Sequence, residues 1–367
     1  MNKTAYTRKR PLNYGNAFML FLVIWQIVLS MALGAMDFYF GSASFSAFMG
    51  TPWFIIASEV VGFVVPVLVW QAFTKPGVRA ASESSETRAS RVFGTFDRRK
   101  IGAVNILLIA ALCLFLQPVM MFLSGLGTAF APNNIAEAMS AMQRQPFAVM
   151  LAAIALTPAL CEEAAFRGYI FSRHMENTDI KKAALINGLF FAIMHMDAQQ
   201  FLYAFVMGVI FAYFVYCTRS LYASVLAHFC VNGMQLTLDR VLTALVPLEP
   251  EAIAEAGLET GGLVTALINL GIISLIMLPA VIILFRTFIS HNKGRNLKRE
   301  VLRVMRVDRA EGTGEALALL EPEITDSDKK DAERIPRPAM FDLFFWCVAA
   351  IYLLFATGVL EWIISRL

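Results

Sequence analysis

Long apolar segments separated by short polar ones dominate this chain. A membrane-crossing helix needs about 20 predominantly apolar residues, and nine segments come near or exceed that length: 17–36, 52–73, 101–126, 146–173, 183–196, 201–217, 221–238, 262–285 and 344–360. The fifth segment is short, but residues 197–200 form a tight turn that leads directly into the sixth. Because the segments lack the period-two alternation of membrane β-strands, the pattern predicts an all-α fold, a polytopic transmembrane helix bundle of about nine spans.

The composition supports a lipid environment. Hydrophobic residues make up 58% of the 367 residues and charged residues 16%, against about 45–50% and about 25% in soluble domains. This balance excludes an intrinsically disordered chain, a nucleic-acid-binding domain and a soluble secreted scaffold. The partner it predicts is the lipid bilayer, and it indicates no oligomeric state.

The basic residues predict an orientation. Lys and Arg concentrate in cytoplasmic loops. With a cytoplasmic N-terminus, nine spans leave only Arg144, Arg240 and Arg366 of the 31 basic residues outside the cytoplasmic segments. We therefore expect a cytoplasmic N-terminus in a multi-pass protein of the cell membrane, with the endoplasmic reticulum membrane as the alternative.

The order of apolar and charged segments predicts that the chain is divided into four parts. Residues 1–100 contain the first two spans and a cytoplasmic loop, and residues 101–285 contain spans three to eight. Residues 286–338 form a cytoplasmic tail that is first basic and then acidic, and residues 339–367 contain an extra C-terminal span.

Polar and ionisable residues inside apolar segments are the candidates for chemistry. A charged residue in a span costs roughly 2.5–3.5 kcal/mol on insertion scales, so such residues are functional candidates. The 1.5 Å rise per helical residue gives a depth when it is counted from the nearest basic residue at the cytoplasmic end of each segment. On this count Glu162 lies about 16 Å into the membrane, His195 about 21 Å and His228 about 14 Å. Three helices therefore place polar groups in one layer. Glu59, a single acid in the second span, is either a structural hydrogen-bonding group or a contact in a substrate channel.

Helical spacing suggests roles for the residues of this layer. Glu163 and Arg167 are four residues apart and can pair, whereas Glu162 projects about 100° away and is free for other work. Glu162 with His195 can hold and deprotonate a water molecule. His228 and Asn232, also four apart, present two donors on one face, which suits a developing oxyanion.

Three motifs in chain order carry a resemblance to a known family. They are Glu162-Glu163-x-x-x-Arg167, Phe191-x-x-x-His195 and His228-x-x-x-Asn232, with Arg167-Gly168-Tyr169 and Ser220-Leu221-Tyr222 beside them. This pattern resembles the CPBP family of intramembrane glutamic endopeptidases, the CaaX prenyl protease type 2 and bacteriocin-processing group. The resemblance covers residues 146–236 firmly and 101–285, the core of the family, loosely. Arg219 and Tyr222 stand where the family commonly has Gly and Trp.

The resemblance implies hydrolysis of a peptide bond in a membrane-associated or lipidated peptide. Glu162 would activate water with His195, His228 and Asn232 would stabilise the oxyanion, and Glu163 and Arg167 would support the site. No metal or other cofactor is expected in this mechanism.

Two alternatives stay open. The same His and Glu residues suit a zinc-dependent metalloprotease, although the chain has no His-Glu-x-x-His motif. A non-enzymatic membrane protein, such as a transporter or an immunity protein, would use the acids as a proton relay.

Overall fold

The computed structural model describes residues 13–41, 45, 48–74, 100–131, 145–175, 178–245, 260–311 and 340–357. These residues contain no strand, which confirms the all-α prediction. The helices are α1 (Tyr14–Phe40), α2 (Pro52–Phe73), α3 (Ala103–Thr128), α4 (Phe147–Met175), α5 (Ile180–Met194), α6 (Phe201–Thr218), α7 (Leu221–Leu245), α8 (Thr260–Glu311) and α9 (Leu343–Ala356). Each predicted apolar segment falls on one of them.

Within the described residues, six helices have the length and composition needed to cross a membrane. They are α1, α2, α3, α4, α6 and the Gly262–Lys293 part of α8. Helix α9 is apolar but has only 14 residues, and α5 has 15. The full count of nine spans and the cytoplasmic N-terminus stay predictions.

Contacts between helix ends show that the helices run in alternating directions. Asn16 at the start of α1 donates to Asp342 Oδ1 at the start of α9 (2.9 Å) and contacts the His174 ring at the end of α4 (2.9 Å). Arg240 near the end of α7 donates to the carbonyl of Gln145, just before α4 (2.8 Å). Odd-numbered helices therefore begin where even-numbered ones end, as in a chain that crosses a layer repeatedly.

Two helices contain wide π-helical turns that end next to a proline. In α2 the turn Val60–Val64 precedes Pro66, and in α4 the turn Leu151–Leu156 precedes Pro158. Proline has no N–H to donate to the carbonyl four residues earlier. Each turn therefore leaves a carbonyl for a neighbouring helix, and the Gly62 carbonyl accepts from Gln26 Nε2 on α1 (3.1 Å).

Helices α5 and α6 pack backbone against backbone. A Cβ at Gly208 would lie 2.6 Å from the Cα of Gly188, and a Cβ at Gly188 would lie 2.8 Å from the Phe205 carbonyl oxygen. Only glycine permits this approach, which brings the backbone of α6 towards α4 and the polar layer.

Helix α8 is continuous across the predicted boundary at residues 285–286 and ends at Glu311. The predicted loop at 75–99 and the acidic part of the tail at 312–339 lie outside the described residues. The division into four parts therefore stays a prediction.

Gly208→Ala should lower the melting temperature of the purified protein, because the new methyl group meets backbone that cannot move aside. Overpacking of this kind costs about 1–3 kcal/mol. Gly34→Ala on α1 is the matched control, since a Cβ there meets nothing within 4 Å, and it should leave stability equal or slightly higher. Equal melting temperatures for both variants would show that the helices can separate without cost.

Candidate active site

A fully buried ion pair lies at the centre of the bundle. Arg167 Nη1 lies 2.8 Å from Glu163 Oε1, and both side chains have 0% exposure. The two residues lie on α4, on either side of the start of a third π-helical turn, Ala164–Ile170. The pair predicted from the i,i+4 spacing therefore forms, and it lies inside the protein, where water does not screen the two charges.

Aromatic rings and one carbonyl complete the surroundings of Arg167. Its Nη2 donates to the Gly208 carbonyl (3.1 Å), which the close packing of α5 and α6 brings within reach. Its guanidinium carbon lies 4.3 Å from the ring centre of Phe191 and 5.2 Å from that of Phe211. Cation–π attraction is strong at such desolvated sites, so the rings favour the charged form of Arg167.

His228 on α7 joins this pair across 65 positions of sequence. Its Nδ1 lies 3.1 Å from Glu163 Oε1. Because a carboxylate oxygen accepts, Nδ1 carries the hydrogen and Nε2 is the ring nitrogen that remains for other chemistry. Glu163 thus serves Arg167 and His228 with one oxygen, which the spacing along α4 did not indicate.

Asn232 lies one turn further along α7 and also faces α4. Its Nδ2 donates to the Ile154 carbonyl (3.1 Å), the carbonyl for which Pro158 supplies no N–H. The shared face predicted for His228 and Asn232 is therefore present, and both residues fasten α7 to α4. The second hydrogen on Nδ2 remains for another acceptor.

His195 follows the last residue of α5. Its Nδ1 lies 2.7 Å from the Phe191 carbonyl, so Nδ1 donates and Nε2 is the acceptor of the neutral ring. The next residue, Met196, has a φ of 47°, a left-handed conformation that costs energy for a non-glycine residue and often occurs near functional sites. The Phe191 ring contacts both histidines edge to face, with ring centres 4.9 Å from His195 and 5.9 Å from His228.

Glu162 is buried beside this network but is not tied into it. Its Oε2 has no hydrogen-bond partner among the described residues. It interacts electrostatically with Glu163 and Arg167 on its own helix and with Glu59 on α2. Of the two neighbouring acids on α4, Glu163 is therefore held by partners and Glu162 is available.

Sequence reasoning missed part of this site. Phe191 has no assigned role in the sequence analysis beyond its place in a motif, although its ring contacts Arg167 and both histidines. Asn187, buried on α5, donates to the Phe166 carbonyl (3.0 Å), and an amide in an apolar segment was a usable signal for it. The Gly208 carbonyl carries no such signal, because its role depends on helix packing.

The described residues contain no group of three or more His, Cys, Asp or Glu side chains arranged to hold a metal ion. That the mechanism needs no metal or other cofactor stays a prediction.

Glu163→Ala should destabilise the protein as well as inactivate it. The change leaves Arg167 buried without its carboxylate and frees His228 Nδ1, and breaking a buried pair in this way costs about 3–5 kcal/mol. Lys182→Ala is the control, because its pair with Asp179 (3.8 Å) is exposed to solvent and such pairs contribute little to stability. Thermal unfolding measures both. A stable but inactive Glu163→Ala would make Glu163 a direct participant in the chemistry.

Comparison with known proteins finds a family model that matches part of this chain. Residues 144–234 match the family model "Type II CAAX prenyl endopeptidase Rce1-like". No curated protein and no solved structure matches the chain. The matched segment contains all six predicted site residues, Glu162, Glu163, Arg167, His195, His228 and Asn232. Residues 144–234 of this membrane protein are therefore similar to the Rce1-like type II CAAX prenyl endopeptidases, the family that the three motifs resemble.

Proposed function

We propose that this protein is an intramembrane endopeptidase that hydrolyses a peptide bond with Glu162 as the base. The observation that carries the proposal is the unequal environment of two adjacent acids. Glu163 binds Arg167 and His228 through Oε1, whereas Glu162 forms no ion pair among the described residues; Oε2 of each acid has no hydrogen-bond partner there. A carboxylate without a cationic partner is the better proton acceptor, because pairing stabilises the ionised form.

Hydrolysis begins when Glu162 takes a proton from water as the water oxygen attacks the scissile carbonyl carbon. A neutral His195 with its hydrogen on Nδ1 offers Nε2 as an acceptor, so it can align that water. The Phe191 carbonyl, 2.7 Å from Nδ1, fixes this form of the ring. General-base assistance of this kind contributes about 10²–10⁴-fold to rate.

The oxyanion that follows is stabilised by His228 and Asn232. Asn232 keeps one amide hydrogen when the other binds Ile154. His228 donates from Nε2 when its ring carries both protons, while Nδ1 binds Glu163 Oε1. Glu163 acts through His228 by holding its ring in place, and Arg167 holds Glu163.

The substrate we propose is a membrane-associated or lipidated peptide. The matching family model names prenyl endopeptidases of CAAX proteins, and a site among apolar helices suits a peptide held in the bilayer by a lipid chain. The proposed location is the cell membrane, with the endoplasmic reticulum membrane as the alternative.

Glu162→Gln should abolish cleavage and leave the melting temperature nearly unchanged. Glutamine keeps the shape of the side chain but cannot accept a proton from water. The measurement is cleavage of a prenylated peptide ending in a CaaX motif, beside its unprenylated counterpart, by protein reconstituted in lipid vesicles. Substantial turnover by the folded variant would remove Glu162 from the role of base.

The same assay distinguishes the zinc alternative. A carboxylate base needs no metal, so wild-type activity should survive exhaustive chelator treatment. Loss of activity with chelator, restored by stoichiometric zinc, would support the metalloprotease instead.

Absence of cleavage for every peptide tested, with intact binding or transport of a solute, would support the non-enzymatic alternative.

Asn232→Ala should lower kcat by about 100–1,000-fold with little change in KM. The oxyanion exists only near the transition state, so the missing donor is not felt by the bound substrate. Asn292→Ala is the control, because Asn292 is also buried and bonds Asn105 of α3 (2.9 Å) away from these residues. The control should lose stability and keep kcat. A similar loss of kcat in both variants would assign the effect of Asn232 to folding alone.

A further inference from the structure

Glu59 lies against the active-site helix although it comes from α2, outside the segment that matches the family model. It is the last residue before the π-helical turn Val60–Val64. The Pro52–Glu59 part of α2 packs against the Thr157–Glu163 part of α4, which carries Glu162. Two acids thus lie on helix segments that pack together, each close to the start of a π-helical turn, and such turns are frequent at functional sites.

The side chain of Glu59 has no structural explanation among the described residues. Its Oε2 is enclosed and has no hydrogen-bond partner, and the same is true of Glu162 Oε2. Glu59 as a whole is half-buried, but enclosing a carboxylate oxygen without a hydrogen bond is costly. An apolar residue would fill this position at less cost if its role were packing alone.

The groups around Glu59 leave Glu162 as its functional neighbour. From α4, Glu59 interacts electrostatically with Glu162 and with the thiol of Cys161. Arg167 and Glu163 are engaged with each other. From α1, the side chains that bond the nearby backbone of α2 are Trp25 and Gln26, which do not titrate.

We propose that Glu59 and Glu162 form a carboxyl pair that holds one proton, with Glu59 as a positioning residue that acts through Glu162. Two carboxylates that interact in a water-poor environment repel when both are ionised, so such a pair keeps one proton and titrates as a unit. The inference rests on the proposed role of Glu162 as the base.

The pair accounts for both proton transfers of hydrolysis. The ionised carboxyl group takes a proton from water as the new C–O bond forms, and the pair then holds two protons. One of these passes to the amide nitrogen as the C–N bond breaks and the amine leaves. The pair returns to one proton, and water has been added across the peptide bond.

Glu59→Gln tests the pair in the prenylated-peptide cleavage assay. We expect kcat to fall about 100-fold, the lower range for loss of acid–base assistance, with KM changed less than about twofold because substrate binding is untouched. The alkaline limb of the pH–rate profile should disappear, since it reports loss of the last proton of the pair. Glu59→Asp should recover part of the rate.

Ser58→Ala is the control on the same helix, because the Ser58 hydroxyl bonds the Ile55 carbonyl of its own helix (2.9 Å). It should keep the wild-type rate and profile. Rates are normalised to folded protein measured by size exclusion, so that a loss of folded molecules does not count as a loss of kcat.

The outcomes separate this inference from the proposed function. Wild-type kcat and an unchanged pH profile in Glu59→Gln, with Glu162→Gln inactive, would overturn the carboxyl pair and leave the base assignment standing. A lower kcat in Glu59→Gln with both limbs of the profile retained, and no recovery in Glu59→Asp, would assign Glu59 a packing role only. Activity in Glu162→Gln would overturn the proposed function itself.

Discussion

The fully buried charge of Arg167 is the constraint on which the rest of the site depends. A cation taken out of water needs an opposite charge and hydrogen-bond acceptors around it. Glu163, the Gly208 carbonyl and the rings of Phe191 and Phe211 meet that need from α4, α5 and α6. Because each of these helices must be in place at once, compensation of one charge fixes the arrangement of the helices that carry the chemistry.

The two acids on α4 differ because of this constraint. Glu163 is drawn into the compensation of Arg167 and into the bond with His228, so its charge is committed. Glu162, one residue earlier, forms no ion pair among the described residues and interacts electrostatically with Glu59 on α2 as well as with its neighbours on α4. Adjacent residues on one helix thus have different partners, which supports the different roles that we propose for them.

Prolines contribute to the site by what they cannot donate. Pro158 leaves the Ile154 carbonyl for Asn232, and Pro66 leaves the Gly62 carbonyl for Gln26. In lipid an unsatisfied carbonyl costs several kcal/mol, so each one favours a neighbouring helix with an amide at the right height. This attraction sets the register of α7 on α4 and of α1 on α2, and with it the height of His228 relative to Glu163.

The sequence by itself determined the all-α class, the positions of the helices and the Glu163–Arg167 spacing, because length, apolarity and helical periodicity are local properties. It also indicated that His228 and Asn232 share a face. Only the tertiary structure decided that His228 bonds Glu163, that the Phe191 ring contacts both histidines and that the helix segment ending at Glu59 packs against the segment of Glu162. These contacts join residues far apart in the chain, and they depend on how helices approach through Gly188 and Gly208 and on which carbonyls the prolines leave open. Neither condition leaves a periodic signal in the sequence.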